Sequence, residues 1–200
     1  LKTALAWFVA PNQRSLWPDV AQGESFRGAP AVVIAWGPRI APAGEAESAP
    51  LPPKAVRERW VAAIQDKLAR SGEVSRAVGA PPDTFDDGVA LDGLRIVAGE
   101  PPADLIVVFS LDASQRRYHV SFPGNSTVYV ASVIEARTTA RAVGVTPAGR
   151  AVFAETRTGF DEGTTHNYTQ VEEAAERAAV DALAEAIVRR LDRMGKGRRS

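Results

Sequence analysis

Ala103-Asp104-Leu105-Ile106-Val107-Val108-Phe109-Ser110-Leu111 is the stretch on which the fold turns. Leu105 to Phe109 are apolar without interruption, in a run too short for a buried helix. Such a run reads as a strand covered on both faces, which places it in the middle of a sheet. Upstream, Pro30-Ala31-Val32-Val33-Ile34-Ala35-Trp36 has the same character and ends at Gly37-Pro38. Between the two, Val56, Trp60, Ala63 or Ile64, and Leu68 recur at helical spacing and predict a helix from Pro53 to Arg70. Pro52 and Pro53 suit its opening, and Gly72 stands where a left-handed cap residue belongs. Glu73 to Val78 reads as a short strand. Leu91 to Ala98 reads as a short helix closed by Gly99 and Pro101-Pro102.

Downstream of Leu111, the polar stretch Asp112 to Arg117 reads as a break, followed by Tyr118, Val120 and Phe122 in alternation. Pro123-Gly124-Asn125-Ser126 is a turn. Thr127 to Arg137, Thr139 to Val145 and Arg150 to Arg157 then form a meander, with Thr146-Pro147-Ala148-Gly149 as its clearest turn. Connections this short make the strands antiparallel, since parallel neighbours need a long crossover. The chain closes with a helix from about Val171 to Arg193, whose Thr169 and Glu172 have capping-box spacing. Its apolar stripe is Val171, Ala175, Ala178, Ala182, Leu183, Ala186, Ile187 and Leu191. Small side chains let such a helix lie close on a sheet, and glutamates near its start and arginines near its end match its dipole. The expected fold is α/β in the α+β sense. It is a mixed, largely antiparallel sheet with helices packed mainly on one face and a long C-terminal helix. Residues 1–29 read as an irregular N-terminal arm, 30–193 as a single domain and 194–200 as a basic flexible tail.

The chemistry is narrower. The 200 residues carry 24 Lys and Arg against 24 Asp and Glu, so no net field steers the chain towards nucleic acid, which is not expected as a partner. The absence of cysteine excludes disulfides, thiolate metal sites and cysteine nucleophiles. Because the chain begins at Leu1 rather than Met, it reads as a processed or trimmed product, and the apolar run Ala4 to Ala10 is too short to span a bilayer. His119 and His166 lack partners at metal-ligand spacing. Asp161, Glu162 and His166 share one polar loop, but they are better read as the approach to the last helix, so no metal is assigned. Neither a glycine-rich phosphate loop nor a Gly-x-Ser-x-Gly elbow occurs, so no cofactor and no catalytic residue is assigned. Ser110, Asp112 and His119 are the ligand-binding candidates, placed near the end of the central strand, where α/β sheets often bind. A local backbone hydrogen bond accounts for Asp104. Of four tryptophans, Trp36 and Trp60 fall in core-patterned segments, and Trp7 and Trp17 are the partner-binding candidates.

Ala103 to Phe109, Val143 to Glu155 and the alanine-rich closing helix together resemble a group of bacterial envelope proteins. These share the fold of the curli-secretion lipoprotein and the N-terminal domain of the Tol-system propeller protein, as do lipoprotein activators of penicillin-binding proteins. Two departures narrow what the resemblance implies. The usual Asp-x-x-Thr-Gly turn is here Thr146-Pro147-Ala148-Gly149, and the membrane-spanning hairpins of the secretion pore are not read in the sequence, so pore formation is not implied. What it implies is a non-enzymatic, periplasmic, outer-membrane-associated module with an envelope protein or peptidoglycan-associated partner. Membrane contact would come only from a lipid anchor absent from this chain, and a homo-oligomer is a further option. The alternative is a small-ligand-binding domain or hydrolase-like enzyme with a site near the end of the central strand.

Overall fold

The computed structural model describes Val20, Phe26 and residues 28–37, 52–85, 102–123 and 128–196. Trp7, Trp17, the expected short helix over 91–98 and most of the N-terminal arm lie outside the described residues. The described elements are β1 (Ala31–Trp36), α1 (Lys54–Ser71), β2 (Arg76–Gly79), β3 (Leu105–Pro123), β4 (Val128–Val145) and β5 (Ala151–Thr164). A single 3₁₀ turn, Thr165–Asn167, leads from β5 into α2 (Tyr168–Lys196). The strands form one sheet in the order β2-β1-β3-β4-β5. β1 pairs in parallel with β2 and β3, while β3, β4 and β5 form an antiparallel meander, so the sheet is mixed as the sequence implies.

β1 joins β2 through α1, the long crossover that parallel neighbours require. Val56 and Arg57 donate their backbone N–H groups to the Pro53 carbonyl at the start of α1, and Gly72 ends the helix at φ 76°. β1 and the first five residues of β3 are the doubly covered part of the sheet: Leu105 to Phe109 are fully buried and Val32 to Trp36 nearly so. Alternate residues serve two cores. Val32, Ile34, Trp36, Leu105, Val107 and Phe109 face the helices, and Val33, Ala35, Ile106 and Val108 face the other way. Asp104 does more than make a local bond. Its carboxylate accepts the Ala31 N–H at 2.8 Å, and its own N–H donates to the Ala31 carbonyl, so it fastens the starts of β1 and β3 together.

Beyond Phe109 the structure departs from the sequence reading. Asp112 to Arg117 is no break: β3 runs unbroken for 19 residues, paired in constant register with an 18-residue β4 that is likewise one strand. β5 continues to Thr164, so Asp161 and Glu162 belong to a strand rather than a loop. The reason lies in coverage. β1 stops beside Phe109, and further along β3 one face is open and the other meets the polar start of α2, so polar residues stand on both faces without interrupting the strand.

α2 covers the helix-facing side of β4 and β5. A Cβ added at Gly159 would stand 2.0 Å from the Ala175 carbonyl oxygen and 2.5 Å from the Ala179 nitrogen, so helix backbone rests directly on strand backbone. The buried stripe on α2 includes Val171, Ala175, Ala179, Leu183, Ile187 and Leu191. Ala179 takes the place expected for Ala178, which is exposed. Thr169 lies inside the first turn of α2, which starts at Tyr168, so it is not the cap residue that its spacing with Glu172 suggests. Thr138, opposite Gly159, is buried beneath this contact with its hydroxyl unpartnered.

α1 and α2 are joined by a polar clamp. The Trp60 indole N–H donates to Glu176 at 3.0 Å, and Arg59 pairs with Glu173 and Glu176 at 3.1 and 3.5 Å while its guanidinium lies over the Trp60 ring. Lys67 meets Glu185 at 3.1 Å one face further along. Burial, with the neighbouring Glu172 and Glu173 charges, raises the Glu176 pKa above its ordinary 4.5 against the Trp60 hydrogen bond and the Arg59 charge, which lower it.

Gly159→Val is expected to destabilise the fold by more than ~3 kcal/mol, because the helix cannot retreat without opening the core. Urea unfolding checks this, with Gly195→Ala, where an added Cβ meets nothing, remaining within ~1 kcal/mol of the parent. Glu176 gives a second expectation. The folded state keeps its proton where the unfolded chain, titrating near 4.5, has released it, so stability falls as pH rises from there through the folded-state pKa. Glu176→Gln retains an acceptor for Trp60, and thermal unfolding should show that part of the slope flattened.

Candidate functional site

An open surface among the described residues is the arm formed where β3, β4 and β5 continue past β1. The register sets its side chains in cross-strand rows. On the face turned away from the helices these rows are Ser110, Arg141 and Thr156; then Asp112, Thr139 and Thr158; then Ser114, Arg137 and Phe160. Arg116, Glu135 and Glu162 follow, and Tyr118, Val133 and Thr164 complete the three-stranded part. The backbone beneath is hydrogen-bonded on both sides of β4, which makes the platform stiff.

Charges of both signs are arranged on it with partners. Asp112 pairs with Arg141, which stands in the adjacent row, two residues along β4 from its direct partner Thr139. The Tyr118 hydroxyl donates to Glu162 at 2.7 Å, and this hydrogen bond, with the nearby carboxylate charge, raises the phenol above its ordinary 10.0. Phe160 stands 53 % exposed in the middle of the surface, beside the exposed Arg137. An exposed aromatic ring flanked by arginine and framed by paired charges is a composition enriched where proteins dock. The other face of the arm is taken by the start of α2. Gln115 donates to the Tyr168 hydroxyl and to Glu172, and the Arg117 guanidinium lies 5.8 Å from the Tyr168 ring centre.

The sequence-predicted ligand group is not brought together. Ser110 and Asp112 lie mid-strand on the outer face, and His119 lies further along the same strand on the opposite face. At roughly 3.3 Å per residue, Ser110 and His119 are about 30 Å apart, far outside the reach of a nucleophile and its base. His119 Nδ1 instead meets the Ser132 hydroxyl at 3.0 Å across the ladder, and no carboxylate among the described residues orients the ring. Asp161, Glu162 and His166 also stay apart, and among the described residues no three His, Cys, Asp or Glu side chains gather as metal ligands.

Sequence reasoning missed Phe160, Arg137 and Glu162 as members of one surface. Residues 156–164, Thr-Arg-Thr-Gly-Phe-Asp-Glu-Gly-Thr, hold one large apolar side chain and no apolar alternation, so no hydrophobic signal marks the strand past the point where it is expected to end. A concavity of about 410 Å³ lies at the opposite end of the sheet, between the start of β1 and the ends of both helices. Phe26, Pro30 and Leu191 form apolar walls, and Glu73 and Asp192 line its rim.

The architecture is that of a mixed α/β sheet with its helices on one face and a long C-terminal helix. No protein-family model matches the chain, and no curated protein matches it. Among solved structures it is similar to a minor lipoprotein from Acinetobacter baumannii, at 13 % identity and a TM-score of 0.39, over 82 % of this chain and 90 % of that one. It is also similar to a neuraminyllactose-binding hemagglutinin homolog from Helicobacter pylori, at 10 % identity and a TM-score of 0.43, over 90 % of each chain. The likeness lies in the course of the chain, and function has to be read from this chain's own surfaces. Among the described residues, no helix is long and apolar enough to cross a membrane.

Tyr118 is expected to ionise above 10 in a spectrophotometric titration, and Glu162→Gln should bring it back towards that value by removing the charge it faces.

Proposed function

We propose that the protein is a non-enzymatic cell-envelope module that binds a protein partner through the outer face of its three-stranded arm. The carrying observation is the exposed Phe160, set beside Arg137 on a sheet surface whose neighbouring charges, Asp112 with Arg141 and Glu162 with Tyr118, are already held in place. Such a surface is ordered before binding, so little side-chain freedom is lost on contact. The envelope setting, periplasmic and on the outer-membrane side, is supported by the sequence resemblance carried by the start of β3, the β4–β5 turn and the closing helix. An envelope protein or a protein attached to peptidoglycan fits this reading.

A photo-crosslinking residue placed at Phe160 should give a discrete adduct with a second envelope protein in living cells. The same residue at Asp66, exposed on α1, should give none. Adducts from both positions or from neither would overturn the assignment of this face, and an adduct between two copies of the chain would favour a homo-oligomer instead.

A second reading has the concavity behind it: a small ligand held between Phe26 and Leu191, at the end of the sheet away from the arm. It takes the place of the ligand site expected at Ser110, Asp112 and His119.

A further inference from the structure

The outer face of the arm ends at a strand edge. Among the described residues β5 pairs with β4 alone, and no strand lies on its other side. It stops at Thr164, past which the β3–β4 hairpin continues alone as a two-stranded ribbon. One bond fixes which backbone groups meet the open side. Phe109 accepts the Gly37 N–H at 2.6 Å, so its polar groups face β1 and those of Ser110 face β4. Ser110 stands opposite Arg141, and the next residue of β4, Ala140, stands opposite Arg157. β4 therefore bonds β5 through Arg157 and every second residue from it, and Thr156, Thr158, Phe160 and Glu162 turn N–H and C=O to the open edge. The Thr156 carbonyl accepts Nη1 of Arg157 at 2.6 Å, a side chain standing in for the missing strand. The outer strand at the far side of the sheet, β2, has only four residues, and the Gln65 side chain accepts its Gly79 N–H at 3.0 Å.

Charge says what the β5 edge takes. The strand carries Glu155, Asp161 and Glu162 against Arg157, three acids to one base. Glu155 pairs with Arg157 at 2.9 Å and Glu162 accepts the Tyr118 hydroxyl at 2.7 Å, whereas Asp161 has no partner among the described residues. Asp161 stands opposite Ala136 on the helix-facing side, and its neighbour Phe160 stands on the outer side. The α2 side chain nearest to Gly159 is the exposed methyl of Ala178. We infer that β5 takes an extended segment of the partner protein as an added strand, with an apolar residue beside Phe160 and an adjacent basic residue against Asp161. Backbone pairing supplies the affinity of such a contact, and side chains at alternate positions supply its selectivity. The excess of acid favours a basic segment over a second copy of β5. The inference rests on the outer-face docking proposed above and names the form and charge of what docks.

The probe is a short capped peptide in which serine alternates with valine and the central serine is replaced by lysine, followed by fluorescence anisotropy with the full chain. A counterpart with glutamate in place of lysine should bind roughly fivefold more weakly, and Asp161→Asn should remove most of that difference. Methylating alternate backbone nitrogens of the peptide should abolish binding for one set and spare it for the other, since only one set faces β5. Thr158→Pro removes an outward N–H while keeping the β4 ladder, so it should abolish binding in a chain that circular dichroism shows to be folded. The inference is overturned if the lysine peptide does not bind, if both methylated sets or neither lose binding, or if folded Thr158→Pro binds like the parent. It is also overturned if Thr158→Pro turns a dimer of the parent into monomer, which would give the edge to a second copy. Crosslinking in cells separates the two readings. A Phe160 adduct that persists in Thr158→Pro leaves outer-face docking standing and strikes the added strand. An adduct absent from the parent strikes outer-face docking, and the peptide then decides the edge.

Discussion

The structure depends on an inequality between the two sides of β3. On one side its parallel partner β1 accompanies it for five residues; on the other its antiparallel partner β4 accompanies it to its last residue. The short side makes the core. Where both neighbours are present, strands fill with Val, Ile and Phe and are buried on both faces. The long side makes the arm, since hydrogen bonds to β4 alone keep β3 extended after the second neighbour has ended. Everything outside the core follows from that point: an outer face open to solvent, a ribbon beyond β5, and a helix-facing side that α2 must cover.

α2 covers it through small residues rather than large ones. At Gly159 the helix backbone approaches the strand so closely that a single methyl group would collide with it, and Ala175 and Ala179 present the matching low surface. Close contact of this kind gains dispersion energy with little side-chain entropy to lose. It leaves no room for adjustment, and the buried hydroxyl of Thr138 is held there without a partner. The polar clamp of Trp60, Arg59 and Glu176 then fixes how α1 meets α2 on the side where large residues do the packing.

Much of this was legible in the sequence, and the rest was not for one reason. Apolar runs report residues covered on two faces, so β1, the buried start of β3, the Gly72 cap and the burial of Trp36 and Trp60 could be read directly. Strands covered on one face write a weaker pattern. Asp112 to Arg117 is polar because one face meets solvent and the other meets only the polar start of α2, through Gln115, Arg117, Tyr168 and Glu172. Read as a break, the segment turned Ser110 and Asp112 into strand-end residues and brought His119 near them, whereas along a continuous strand they are far apart. The surface around Phe160 is hidden for the same reason, because the strand that the sequence implies, Arg150 to Arg157, stops short of it while β5 runs to Thr164. Periodicity fixes the helix phase only to within about one residue, which is the difference between Ala178 and Ala179, and here strand glycines, invisible to a hydrophobic pattern, decide which alanine faces inward.

The uncharged ribbon is a different kind of signal, since it lies in what the sequence omits. Charged residues occur throughout the chain, and at solvent-exposed positions they keep unpaired strand edges from joining other edges. A projecting hairpin with both edges open and no charge from Tyr118 to Ile134 gives up that protection where it is most needed. The arm next to it keeps its charges, with Arg116, Glu135 and Glu162 in a single row. The boundary between charged and uncharged therefore coincides closely with the end of β5, where the ribbon leaves its third strand. The composition of the hairpin thus changes at the same place as its structural support, from rows that hold charge to rows that hold none.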